Sequence, residues 1–386
     1  MLLRLWSNIT IVQSSEYITG RNQTFVFNFV NSIDIYSTWK NLTDTAKLVF
    51  PKKIYYKDQN GNLKTWEGQS MAAGANPLFL RGDSIKIELG YRYKDTEGND
   101  QLTTNTVFEG FITKVNPKIP IEIECEDNMW LLKRIATPNK VYKNTDVETM
   151  ISSMISATNF TLKTGVKTRQ SIKTKIGDFR TNNETIGEVL DRLRKDYMIY
   201  SYFRGKELRC SGIVYYPEDQ KTHYFKFQNN IISDSLDYIR KDDVKVAIKA
   251  TSIQEFANGT TPSGKASKKK KQISVIYPPE NAKGDIRQLY FAASGATEQE
   301  VKDNLTALAK DRIGRIWYEG FKGAFTSFGL PYVKHGEIVN IQDNVLPERD
   351  GNYLTKGVKI SFGMQGYRQT IELDIRTDNV NLNDGI

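Results

Sequence analysis

The run Ile121–Asp127, IEIECED, places Glu122, Glu124, Glu126 and Asp127 within seven residues. Paired carboxylates are the equipment of general acid/base catalysis, and glycoside hydrolysis needs two of them flanking one bond. Residues two apart on one strand face lie about 6.5–7 Å apart, which overlaps the roughly 6.5–9.5 Å separation of an inverting pair. The period argues for something else. Ile121, Ile123 and Cys125 fall on one side and Glu122, Glu124 and Glu126 on the other, as on a strand with one face on a core and one in water. Spacing alone thus permits a carbohydrate-active or glycan-binding site, while the alternation favours a solvated or interface face. Like charges on one face need water or cations beside them. Lys245, Lys249, Lys356 and Lys359, on the polar sides of later strands, supply the opposite sign. These four lysines with Glu122, Glu124 and Glu126 form a candidate subunit or domain interface.

Other chemical templates fail. The only histidines are His223 and His335 and the only cysteines Cys125 and Cys210, so no cluster has metal-ligand spacing. The distant cysteines read as buried, reduced thiols, and His335, ahead of Gly336, as an exposed turn residue. There is no G-x-S-x-G elbow, and Gly259–Lys265 lacks the hydroxyl and the context of a phosphate loop. The chain is expected to be no enzyme and to carry no catalytic constellation, cofactor or metal.

These residues must be positioned by strands. Up to about residue 130 the sequence reads strand after strand: ITIV (9–12), TFVFNFV (24–30), KLVF (47–50), KIYY (53–56), SIKIELGYRY (84–93), VFEGFITKV (107–115), IEIEC (121–125). Gln59–Asn62 and Glu97–Asp100 carry the Gly and Asn of hairpin loops. A closed or nearly closed antiparallel barrel suits such a series, because closure removes exposed edges; a sandwich fits too. The period then changes. Thr145 and Glu148 are spaced as a capping box ahead of a helical stripe of Val147, Met150, Ile151, Met154 and Ile155. Asn182 or Asn183 is placed to cap a second helix with the stripe Ile186, Val189, Leu190, Leu193 and Tyr197. Strands 198–203 and 207–216 follow, turning at Arg204-Gly205-Lys206. A second β block begins near residue 231, with Val244, Val246 and Ile248 alternating with Lys245, Ala247 and Lys249. A loop-like stretch containing Lys268–Lys271 interrupts it and reads as a solvated linker or hairpin tip. Thr297 and Glu300 open a third helix with Val301, Leu305, Leu308 and Ala309. Strands 337–341, 353–362 and 368–375 close the chain. Both halves share an order, a β block and then a helix-bearing insert.

The 386 residues suit two to four domains, and 11% aromatics with 20 Tyr and 18 Phe favour a β-rich protein. The net charge of +9 is mostly dispersed, which fits a Lys-biased surface; the partner classes it suggests are an acidic partner subunit, a membrane surface or nucleic acid, the last stacking on Tyr and Phe between lysines. MLLRLWSNITIV is too short an apolar stretch for a secretory signal, and no run approaches a membrane span, so a non-secreted protein without membrane partners is expected.

VFEGFITKVNPKIPIEIECEDNMWLLKR (107–134) resembles the signature stretch of phage tail baseplate hub proteins of the late-control gpD type, related to the hub base of contractile injection machines. ETIGEVLDRLRKDYMIYSYFRGKELRC (184–210) is similar to the helix and hairpin of that family's inserted domain. SDSLDYIRKDDVKVAIKATS (233–252) resembles the opening of its second barrel, and residues 329–375 its close. Glu337 departs from the Asp that commonly follows the glycine, and residues 258–271 are an insertion. The resemblance implies an α+β, β-rich fold of two antiparallel β-barrel domains with small helix-containing inserts. The first barrel would span 1–144 and a small α+β domain 145–230. The second barrel would open at 231–272, take a second α+β domain at 273–330 and be completed by 331–386. It further implies a structural hub subunit of a phage or prophage tail, in the virion baseplate and made in the bacterial host cytoplasm. There it would form a homotrimeric ring that adapts a hexameric tail tube protein to a trimeric spike protein, with DNA passing through a central channel.

Overall fold

The computed structural model describes residues 3–67, 77–116, 118–157, 167–170, 175–211, 216, 220–240, 245–260, 266–290, 297–314 and 316–377. The first block is all strand: β1 (Arg4–Val12), β2 (Thr24–Phe27), β3 (Ser32–Thr38), β4 (Thr45–Phe50), β5 (Lys53–Lys57), β6 (Leu63–Glu67), β7 (Ser84–Lys94), β8 (Asp100–Asn116) and β9 (Ile121–Glu126). An α+β unit follows: α1 (Met129–Leu132), β10 (Val141–Asp146), α2 (Val147–Ala157), β11 (Lys167–Gln170), β12 (Lys175–Arg180), α3 (Ile186–Tyr197), β13 (Tyr200–Arg204) and β14 (Glu207–Ser211). Next come β15 (Thr222–Lys226) and β16 (Ile231–Ile239), then β17 (Val246–Thr260), β18 (Ala266–Tyr277), β19 (Asp285–Tyr290) and α4 (Glu298–Gly314). The chain returns to strands with β20 (Gly320–Phe328), β21 (Ile338–Gln342), β22 (Gly351–Gly363) and β23 (Gly366–Arg376).

Both β blocks belong to one 15-stranded sheet, in the order β16-β20-β23-β22-β3-β4-β9-β8-β7-β1-β2-β5-β6, with β21 pairing β22 and β15 pairing β21. The seam is β22 against β3, antiparallel from Gly357 opposite Thr38 to Gly363 opposite Ser32. Among the described residues no pairing closes either block on itself, so the expected barrels are not shown; the blocks are successive arcs of a continuous sheet. One apolar core runs beneath both, from Ile9, Phe27, Leu48 and Ile123 to Phe325, Tyr353 and Ile371. Tyr91 of the first block donates to the Tyr367 carbonyl of the second at 3.0 Å, which ties the two arcs together.

Local chemistry explains many of the elements. Gly110 lies where β8 crosses β9, and a Cβ there would sit 2.1 Å from the Glu126 carbonyl oxygen, so only glycine allows the approach. The two long hairpins of the first block turn on the same device: Asp58 and Asp95 each accept the N–H groups two and four residues on, with Gly61 and Gly98 at positive φ. DQNGN and DTEGN are thus two copies of one turn.

The α2 stripe, Val147, Met150, Ile151, Met154 and Ile155, is fully buried as the helical period requires. Its cap differs from the expected Thr145: Asp146 accepts the Thr149 N–H at 2.8 Å. At α3 the cap is Thr185, which exchanges bonds with Glu188 in a capping box, while Asn183 occupies a left-handed turn at φ 52°. The register of the stripe, beginning at Ile186, decides that choice, because the cap must immediately precede the first buried turn.

The segment expected to open the second barrel is divided. β16 joins the large sheet, whereas β17 and β18 form a separate three-stranded sheet with β19. Val246, Ile248 and Ala250 of β17 pack on Val301, Leu305, Ala309 and Ile313 of α4. Ala247 is also buried, so the strand is covered on both faces and does not keep the simple inside/outside alternation. Lys268–Lys271 lie in β18 opposite β17, in a long hairpin rather than a linker; the tip, 261–265, lies outside the described residues.

Candidate functional site

Two groups of charged residues have the geometry to matter. The first is the legible one. β9 keeps its alternation, with Ile121, Ile123 and Cys125 buried and Glu122, Glu124 and Glu126 half-exposed. Pairing with β4 sets Lys47 opposite Glu124, and pairing with β8 sets Lys114 opposite Glu124 as well. Each carboxylate finds a cation of its own neighbourhood. Glu122 meets Lys118 at 3.0 Å and Lys47 at 3.3 Å, Glu124 meets Lys114 at 3.5 Å, and Glu126 meets Lys133 at 2.8 Å. The Lys118 bond, with Lys47 beside it, holds the Glu122 carboxyl below the usual range. A general acid needs the opposite shift.

Of the four lysines proposed as partners, Lys359 lines the same groove as Asp34, Lys47, Glu124 and Glu126. Lys356 is on the same sheet but is taken by Glu372 at 2.9 Å. Lys245 and Lys249 sit at the start of the separate β17 sheet and are not brought to the acidic face.

The second group is buried, and sequence reasoning did not assemble it. It lies where the first β arc, the α+β unit and the second β arc meet. Asp44, in the β3–β4 turn, accepts the Thr38 N–H at 3.0 Å and the Ser37 hydroxyl at 2.5 Å. Asp127, just past β9, donates its N–H to the Asp44 carbonyl at 3.1 Å and accepts the Met129 N–H at 3.1 Å. His335 is only 1% exposed, where an exposed turn residue was expected. Its Nε2 lies 3.8 Å from the Asp44 carboxylate, its ring packs edge-on to Tyr202, and its carbonyl accepts from Arg204 at 2.5 Å. The turn is buried because β13 and β14 of the α+β unit fold over it, a contact that spans 131 residues of chain. Glu337 accepts from His223 Nε2 at 2.9 Å and from the Lys334 N–H at 2.8 Å.

Burial shapes the protonation of this group. Burial, and then the neighbouring Asp44 charge, push the Asp127 carboxyl well above the usual carboxylate range. Burial lowers His335 despite the attraction of Asp44, and the Arg204 charge lowers it further. Burial would raise Glu337, but the His223 bond, the Lys334 N–H and Arg204 overcome it and leave the carboxyl below its usual value. Both cysteines are buried and free, with Cys210 pushed up to about 12 by burial, so neither is a reactive thiolate.

Chemically this is a clamp rather than a relay. Ser37 gives its proton to Asp44 and not to an imidazole, so it is not an activated nucleophile, and 3.8 Å is too long for a hydrogen bond from His335 to Asp44. The one sequence signal that pointed here was Glu337, which stands where the proteins that the sequence resembles commonly have Asp and which anchors His223 from the parallel strand pair β15–β21. Among the described residues no cluster of His, Cys, Asp and Glu could hold a metal, and no helix is long and apolar enough to cross a membrane.

Comparison with known proteins places the fold. No protein-family model and no curated protein matches the chain at the level of sequence. Among solved structures, a tail protein from Neisseria meningitidis is similar over 98% of this chain and 99% of its own, with a TM-score of 0.60 and 12% identity. A 43 kDa prophage tail protein from Shewanella oneidensis is similar over 95% of this chain and 98% of its own, with a TM-score of 0.55 and 12% identity. An Escherichia coli component of the type VI secretion system, itself similar in structure to the T4 bacteriophage tail proteins gp27 and gp5, matches 92% of this chain and 75% of its own, with a TM-score of 0.50 and 11% identity. The chain therefore shares the fold of these tail and secretion proteins from end to end.

Proposed function

We propose that the protein is a structural subunit of a phage or prophage tail, or of a related contractile injection machine, at the baseplate hub. The observation that carries this reading is the end-to-end likeness of fold to the Neisseria tail protein, nearly the whole of each chain being aligned. The paired arcs of the sheet support it: two β blocks per chain, three chains to a ring, would present six positions to a hexameric tube protein and threefold symmetry to a spike protein. In this reading each arc is completed as a barrel-like unit in the ring, and the half-neutralised strand face carrying Glu122, Glu124 and Glu126, with Lys359 in its groove, is part of the contact between chains. The enzymatic alternative on the same carboxylates finds no support in their geometry, since Glu122, Glu124 and Glu126 each pair with lysine.

The test is the mass of the full chain in solution together with negative-stain imaging, alone and with the tube and spike proteins of the same tail operon. A threefold ring with a central hole is expected. A protein that stays monomeric in the presence of both partners overturns the hub assignment.

A further inference from the structure

A cavity of about 480 Å³ lies between the α4 unit and the main sheet. Its walls come from the end of β3, from β19, from the last turn of α4 and from β20, β22 and β23. They carry five cationic side chains, Lys40, Arg287, Arg312, Lys322 and Lys356, against two carboxylates, Glu372 and Asp374. Asp374 Oδ2 is shielded from solvent without a hydrogen-bond partner, and cations still outnumber carboxylates. Lys356 and Glu372 neutralise each other at 2.9 Å. Among the described residues, the side chains of Arg287, Arg312 and Lys322 have neither ion-pair nor hydrogen-bond partners, and Arg312 Nε is shielded from solvent as well.

Shielding a guanidinium N–H without an acceptor costs free energy, and gathering like charges around one cavity adds to the cost. Both costs fall when an oxyanion fills the space. Two guanidinium groups and an ammonium on three different elements suit a phosphate, whose oxygens accept from several directions. The volume is within the range of small-ligand sites and exceeds what a single inorganic ion fills. We infer that this cavity binds a phosphate group, free or carried by a small organic molecule, and that the ligand locks the β17–β19 and α4 unit onto the main sheet. The inference stands independently of the hub assignment.

The experiment uses the full chain. Inorganic phosphate and, separately, adenosine monophosphate are titrated at constant ionic strength with sodium chloride as the balancing salt, reading Tm and ³¹P line width. A saturable rise in Tm of about 2 °C or more, with ³¹P broadening, is expected for at least one of the two. Arg287 and Lys322 are both exposed, so the double variant Arg287→Gln/Lys322→Gln should fold and should lose the response, and Lys322→Arg should keep it. A response to both ligands, or to phosphate alone, identifies the group itself as sufficient; a response to the monophosphate alone identifies a carried phosphate. No saturable response to either ligand, or an undiminished response in the double variant, overturns the inference.

Discussion

The acidic face of β9 and the buried cluster around Asp44 contain the same chemical groups and behave in opposite ways. On β9 every carboxylate is half-exposed and meets lysines from the adjacent strands, from the turn before β9 or from the end of α1, at separations of 2.8–3.5 Å. Such pairs are screened, replaceable and of little consequence for stability. In the cluster, Asp127, His335 and Glu337 are withdrawn from water, and each draws a partner from a distant segment: Asp44 for Asp127, Arg204 for His335 and His223 for Glu337. There a missing partner leaves a buried polar group unpaired, which costs far more. Density of charge in the sequence is therefore a poor guide to where charge matters; burial decides it.

The contrast can be broken most sharply at Glu337. Glu337→Ala leaves His223 and the Lys334 N–H without their acceptor in a buried site, and a loss of about 2–4 kcal/mol is expected in denaturant unfolding. A loss as small as that of a surface substitution would show that the cluster is no more than a second exposed ion-pair patch.

The next effect is in pH. His335 titrates below 6.5 in the folded chain, so between that value and its folded pKa the unfolded chain binds more protons. Its contribution is complete above about pH 6.5 and is lost as pH falls toward the folded value. Asp127 has the opposite sign, because its raised pKa means that acidification relieves a buried charge. The cleaner measurement is therefore Tm from about pH 7.5 to about pH 5.5 in an Asp127→Asn background, with and without His335→Phe. A fall that disappears with His335→Phe is expected; an unchanged fall would assign it elsewhere.

Asp127→Asn by itself should cost less, within about 1 kcal/mol, because burial beside Asp44 penalises the charged carboxylate and an amide oxygen can still accept from Met129. A cost comparable to that of Glu337→Ala would mean that Asp127 is ionised in the clamp.

The smallest effect on stability is expected from Glu122→Lys/Glu124→Lys/Glu126→Lys. Its Tm should stay close to that of the parent chain, while assembly is read separately by mass in solution. Unchanged assembly would remove this face from the contact between chains.

Much of the local architecture was legible. The 3.6-residue stripe of α2 and the two-residue alternation of β9 are buried as the periods require, because a helix or strand has only one way to turn such a pattern toward a core. The cap of α3 was missed by two or three residues, since Asn182, Asn183 and Thr185 are all competent caps and only the packed first turn selects among them. The assignment of β17 to the second β block failed for a related reason. Alternation in Val246–Lys249 says that one face is apolar, but not whether that face meets the large sheet's core or α4.

The sequence by itself determined local faces: which residues of β9, α2 and α3 point inward, and that hairpins turn at Gln59–Asn62 and Glu97–Asp100. Tertiary structure decided the partners. That β22 pairs with β3 across more than three hundred residues, that His335 is sealed beneath Tyr202, and that Arg287, Arg312 and Lys322 converge on one cavity follow from how the units dock. Periodicity is a property of neighbours along the chain and survives in any arrangement of the units. Register between distant strands is fixed only when their shared core closes, and no local pattern encodes it.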